Sequence, residues 1–120
     1  MIKRLVAALA ILLLTAAVLL AGGALLDSRL HELEGLAADI RSAAGQNDRQ
    51  RAVERFKTRL ADSERLLTAF ISRDLFDEAM SAASALAAYC KSDSLPDLLA
   101  ELARTESRLA IMRRSAERAL

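Results

Sequence analysis

Twenty-two consecutive residues, Leu5 to Leu26, carry no charge and read LVAALAILLLTAAVLLAGGALL. No other feature constrains the chain as much. Nine leucines, two valines and one isoleucine fall within it. As a helix the run would be about 33 Å long, against a hydrocarbon core of about 30 Å. These side chains favour insertion by roughly 4–7 kcal/mol in total, at about −0.3 to −0.6 kcal/mol each. Gly22 and Gly23 would weaken a helix in water. A bilayer tolerates them, because a broken backbone hydrogen bond costs more there. The run reads as a transmembrane helix.

Its flanks set the expected orientation. Lys3 and Arg4 precede it, and Asp27, Ser28, Arg29, Glu32 and Glu34 follow. The positive-inside rule then puts the N-terminus in the cytoplasm and residues 27–120 on the far side of a plasma membrane crossed once. A cleaved signal peptide is the rival, with small residues at Ala21 and Gly23 and cleavage before Ala24. The run is longer than the usual apolar core of a signal, about 7–15 residues, which favours a retained anchor. No cysteine stands directly after it, so a lipoprotein anchor is disfavoured. One face of the anchor is small: Ala7, Ala10, Ala17, Ala21 and Ala24, then Ser28. Ala10, Ala17, Ala21 and Ala24 are candidates for close packing against a second membrane helix. A chain with 25 alanines in 120 residues would also show some small face by chance.

Residues 1–26 thus form a cytoplasmic stub and anchor, and residues 27–120 a single small domain. Beyond the anchor the chain carries fifteen basic and sixteen acidic residues, a net charge of −1. No global field points to nucleic acid. Four aromatics and no Trp argue against a stacking platform for bases. The single Cys90 excludes an internal disulfide framework. A domain this small is marginal by itself, and a partner, a second copy or the membrane would support it.

Alternation typical of strands is absent, while Ala, Leu, Arg and Glu dominate, so the domain reads as all-α. Leu26, Leu30, Leu33, Ala37, Ile40 and Ala44 step by fours and threes, which continues the anchor as one helix to about Ala44. Gly45-Gln46-Asn47-Asp48 breaks it, with Gly suited to a C′ position and Asn or Asp to an N-cap. A second helix is expected from about Asp48 to Ser72, with Val53, Phe56, Leu60, Ser63, Leu67 and Phe70 inward and Leu66 and Ile71 widening the seam. Asp74 can cap a third, from about Leu75 to Lys91, with Phe76, Ala79, Met80, Ala83, Leu86, Ala87 and Cys90 inward. Ser94 and Asp97 approximate a capping box for a fourth, and Pro96 falls in its first turn. That helix runs from about Leu95 to Arg118, with Leu98, Leu99, Leu102, Leu109, Met112 and Ala116 inward. Three short turns predict an antiparallel up-down-up-down bundle of about four helices.

The whole-chain pattern resembles the short bacterial membrane proteins catalogued as domain of unknown function 4363. The matching stretches are MIKRLVAALAILLL, the AVERF…LL…FI run at 52–71 and the LFDEAMSAASALAAY run at 75–89. The chain departs from that pattern where the family often shows Trp, having Phe56 and the Leu66/Leu67 pair. It also has Arg73-Asp74 where the family often shows His before an acid. That family carries no assigned activity, so the resemblance implies a topology and little else.

No constellation carries chemistry. His31 has Asp27 four residues before it and Glu34 three after, but a specific metal site would need a second His or cysteines. A salt-bridged, solvated face explains the trio better. Cys90 ends an apolar stripe and reads as a small buried hydrophobe, with an interchain disulfide as the alternative. The serines and threonines have no oriented base or oxyanion site, so enzyme is disfavoured and no cofactor is implied. Asp62–Arg65, Glu101–Arg104 and Arg113–Glu117 read as local surface pairs. Arg51, Arg55 and Arg59 form a like-charged stripe best read as a solvated face.

Lengths add one sharper expectation. From Asp27 to Ala44 the first helix rises about 27 Å. The second is longer by about seven residues, so its end returns to the level of the anchor, and the fourth also descends. Arg29, Arg73, Arg113, Arg114 and Arg118 would then form a basic collar facing anionic headgroups or an acidic rim on a membrane partner. The sequence therefore points to a single-pass membrane-anchored interaction module. Its expected role is an accessory or scaffold subunit that contacts the lipid bilayer and another membrane protein, with a homodimer also open. An extracytoplasmic sensing or small-ligand-binding bundle is the alternative, with only Ser63 and Thr105 as polar residues inside the seams.

Overall fold

The computed structural model describes residues 2–119. Five helices account for nearly all of them: α1 (Ile2–Ser42), α2 (Gln46–Asp62), α3 (Glu64–Phe70), α4 (Arg73–Lys91) and α5 (Leu95–Ala119). The fold is all-α, as the composition and periodicity indicate, with no strand among the described residues. The molecule measures 69 × 22 × 17 Å. Its long dimension is α1, which runs without interruption through the apolar segment and on into the helical bundle.

The bundle forms where the apolar pattern becomes a seam. Leu26, Leu30, Leu33, Ala37 and Ile40 are the buried residues of α1. Leu98, Leu102, Thr105, Leu109, Met112 and Ala116 supply the matching stripe of α5, again at steps of four and three. Between them lie Val53, Phe56 and Leu60 of α2, Leu67 of α3, and Phe76, Ala79, Ala83, Leu86 and Cys90 of α4. Fully burying a Leu or Phe stabilises by about 1.5–3 kcal/mol, so these stripes dominate the favourable side of folding. Two residues expected inward are not. Leu99 lies one position off the α5 seam and is 38% exposed. Ala44 is exposed because α1 has already ended at Ser42.

Polar contacts set the helix order. Arg41 pairs with Glu106, while Arg113 reaches Asp27 and Glu34, so α5 runs opposite to α1. Arg59 binds Glu32, and Arg29 donates to Ser63, so α2 also opposes α1. Gln46 donates to the Cys90 carbonyl, which joins the start of α2 to the end of α4. Glu78 faces Arg108 at 3.9 Å, so α4 packs beside α5.

Sequence periodicity misses one break. The expected second helix is divided at Ser63, which lies between α2 and α3 with φ −90° and ψ 1°. Its N–H is shared between the Arg59 and Leu60 carbonyls, and its hydroxyl donates to the Arg59 carbonyl at 2.6 Å. Back-bonding of this kind bends a helix. The carbonyl of Ser63 still accepts from Leu67 N–H, so the chain is redirected rather than stopped.

The caps also differ from expectation. Gly45 serves as the N-cap of α2 in an extended conformation, rather than as a left-handed C′ residue. Ser72, not Asp74, caps α4 by accepting from Leu75 N–H. After α4, Asp93 adopts the left-handed conformation at φ 55°. Its N–H reaches the Cys90 carbonyl and that of Ser94 the Tyr89 carbonyl, the Schellman pattern with Asp where glycine is commonest. Ser94 precedes α5, but its hydroxyl donates to the Asp97 carboxylate at 2.6 Å instead of accepting a backbone N–H.

Candidate functional site

Two surfaces stand out, and both lie at the end of the bundle from which the apolar half of α1 emerges. The first is that half itself. None of its residues before Leu26 is buried. Leu5, Leu12, Leu14 and Leu20 are among the large side chains left open on all sides. The candidate packing residues Ala10, Ala17, Ala21 and Ala24 are likewise exposed. This is one helix long and apolar enough to cross a membrane.

Gly22 marks the junction. The Phe70 ring at the end of α3 packs directly on it, and a Cβ built at Gly22 would lie 2.5 Å from Phe70 Cζ. Glycine permits an approach that any other residue would obstruct. The α2–α3 arm is therefore long enough to descend past the charged residues and touch the apolar segment. The break at Ser63 lies within this arm.

The second surface holds the five arginines of the expected collar, and they do not form a uniform positive ring. Arg29 donates to Ser63 Oγ at 3.1 Å and lies 3.9 Å from Glu32. Arg73 binds Glu64 at 2.6 Å and approaches Asp77. Arg113 binds Asp27 at 2.7 Å and Glu34 at 2.8 Å, clamping α5 to α1. Hydrogen bonding to Glu34, and then to Asp27, raises the pKa of Arg113 against the opposing effect of burial. The local pair expected between Arg113 and Glu117 is thus replaced by a cross-helix pair. Of the three local pairs read from sequence, only Glu101–Arg104 forms among the described residues, at 3.1 Å. Arg114 and Arg118 have no salt bridge among the described residues and line an open groove with Leu75, Ile111 and Ser115.

Asp27 and Glu34 are committed to Arg113, and His31 is exposed between them. No cluster able to hold a metal occurs among the described residues. Cys90 is buried in the core with a free thiol. Burial pushes its pKa up, while the nearby charge of Arg49 works against that. Ser63 and Thr105 are both buried, yet each hydroxyl donates to the carbonyl four residues earlier. Neither lines the grooves formed around Arg51, Glu78, Glu34, Arg114 or Arg104. In the like-charged stripe, Arg59 is neutralised by Glu32, leaving Arg51 and Arg55 on the outer face of α2. No protein-family model, no curated protein and no solved structure matches this chain.

Proposed function

We propose that this protein is a single-pass membrane protein whose N-terminal helix holds a helical bundle against the bilayer. The bundle serves as an accessory or scaffold subunit for another membrane protein, without catalysis. One observation carries the reading: the apolar half of α1 is continuous with the bundle, yet apart from the Phe70 ring on Gly22 its apolar surface is left uncovered. Soluble monomers rarely expose contiguous apolar patches beyond a few hundred Å², and this helix is apolar around its whole circumference for some six turns. A bilayer satisfies such a surface. Lys3 and Arg4 favour a cytoplasmic N-terminus and an extracytoplasmic bundle.

Retention of the segment, rather than its cleavage, is supported by the Gly22–Phe70 contact. Cleavage before Ala24 would remove the surface on which Phe70 packs. An interaction role is supported by how polar groups are used. Buried hydroxyls are spent inside the helices, and most charged groups at the junction tie one helix to another. The ligand-binding alternative draws nothing from Ser63 or Thr105, because neither hydroxyl is aimed into a groove.

The test is purification from native membranes in mild detergent through a C-terminal tag. A second membrane protein recovered in stoichiometric amount is the expected result. Recovery of the bait alone would overturn the accessory-subunit reading. Release of the chain by alkaline carbonate would overturn the anchor.

A further inference from the structure

Three of the five arginines near the junction are occupied by carboxylates or by Ser63, and two have no salt bridge among the described residues. We propose that Arg114 and Arg118, with Leu75 and Ile111, form a seat for the headgroup of an anionic phospholipid. The proposal rests on the membrane-anchor reading above.

Position is the first argument. Arg113 fixes the height of α5 against α1 through Asp27 and Glu34. Arg118 lies five residues further along α5, about 7.5 Å closer to the apolar segment at 1.5 Å per residue. That brings it level with the point where Leu25, the last large exposed apolar residue of α1, gives way to Asp27. Charged side chains at this height lie among headgroups when Leu5–Leu25 spans the hydrocarbon.

Chemistry is the second argument. Arg114 and Arg118 are four residues apart and therefore share a helix face. Two guanidinium groups on one face suit a single phosphodiester, which accepts charge-assisted hydrogen bonds from both. Ser115, which carries a further donor, lines the same groove. Glu117 lies between the arginines in sequence but forms no salt bridge with either among the described residues. Leu75 and Ile111 supply an apolar wall, and Ile111 is 45% exposed. A soluble phosphate would gain nothing from that wall. The glycerol and first methylenes of a lipid would cover it. Arg73, held by Glu64 and Asp77, is not needed for the seat.

Each arginine near an anionic surface contributes roughly fivefold in affinity, and the pair about thirtyfold. The experiment uses the full chain in neutral detergent and measures its apparent affinity for phosphatidylglycerol and for phosphatidylcholine in mixed micelles. The wild type is expected to prefer phosphatidylglycerol by about thirtyfold at low salt, with the preference shrinking as salt rises. The double variant R114Q/R118Q is expected to bind both lipids alike. The control R51Q/R55Q, which removes an equal charge from the outer face of α2, is expected to keep the preference. Equal binding of the two lipids by the wild type would overturn the proposal, as would a preference retained in R114Q/R118Q. Competition by soluble glycerol phosphate would assign the pair to a free phosphate ligand instead. If R114Q/R118Q lost a co-purifying protein while the wild type showed no lipid preference, an acidic partner would be the occupant. Release of the chain by alkaline carbonate would instead overturn the anchor itself, which separates that failure from the failure of the lipid seat.

Discussion

The two halves of α1 belong to one helix and share a composition rich in leucine and alanine, yet their surroundings differ completely. From Ile2 to Leu25 nothing is buried, whereas from Leu26 to Ile40 every third or fourth residue is. The backbone does not distinguish the halves. What differs is the polar residues interleaved in the second: Asp27, Arg29, Glu32 and Glu34 leave a single apolar stripe that α2 and α5 can cover. The first half offers apolar surface in every direction, and the four neighbouring helices leave it uncovered. Helicity follows from local propensity, but burial follows from whether the apolar surface is narrow enough for the chain to cover itself.

The largest test of this contrast is a leucine deletion in each half. Leu33→Ala removes a wholly buried side chain. It is expected to lower bundle stability by about 2–5 kcal/mol. Leu13→Ala, from the exposed half, is expected to move the same transition by less than about 0.5 kcal/mol. Thermal loss of ellipticity in detergent reads both, and equal effects would break the distinction.

The second test asks how dry the bundle is. Burial keeps the Cys90 thiol protonated above its ordinary pKa of 9.0. The unfolded chain loses that proton first, so it binds fewer protons than the folded chain, and stability falls as pH rises above that value. The slope is at most about 1.4 kcal/mol per pH unit. Urea denaturation from pH 8 to 10.5 should show a steeper loss for the wild type than for Cys90→Ala. Parallel curves would mean the thiol is hydrated.

A smaller effect separates the charged face of α1 from its seam. Arg113→Met frees Asp27 and Glu34 into solvent, and it is expected to cost about 1 kcal/mol, since a partly exposed clamp is screened. High salt should shrink the difference between the two proteins.

The smallest effect compares two glycines of the same helix. A Cβ at Gly35 meets nothing within 4 Å, so Gly35→Ala should stabilise by about 0.5–1 kcal/mol through helix propensity alone. Gly22→Ala should forfeit that gain, because the new methyl displaces the Phe70 ring. Equal gains at both sites would mean that the Phe70 ring moves off α1 without cost.

Much of this contrast was legible in the amino acids. The uncharged run, the fours and threes of each seam, and the punctuation at Gly45 and around Pro96 locate the helices to within a few residues. Length arithmetic also anticipates that the second arm reaches back to the level of the apolar segment, where Phe70 meets Gly22. What sequence could not show are the facts that depend on how helices are rotated against one another. Arg113 lies 79 residues from Glu34 and 86 from Asp27, so local spacing favoured Glu117 and was wrong. Which of the five arginines lack a salt bridge among the described residues depends on these distant pairings. The kink at Ser63 was hidden for a similar reason: an inward serine in a seam looks like a tolerated blemish until Arg29 is seen to supply its second hydrogen bond. Leu99 was misjudged because an adjacent pair of leucines does not reveal which one the stripe will use.

The unbroken course of α1 across the junction has a mechanical consequence. From Gly22 to Ser42 the helix extends about 30 Å, so a 10° change in its tilt about Gly22 sweeps the far end of the bundle sideways by about 5 Å. With Phe70 wedged against Gly22, that motion has no flexible joint in which to dissipate. Anything that grips the apolar helix also aims the bundle, and a force on the bundle's tip is delivered as torque to the helix below.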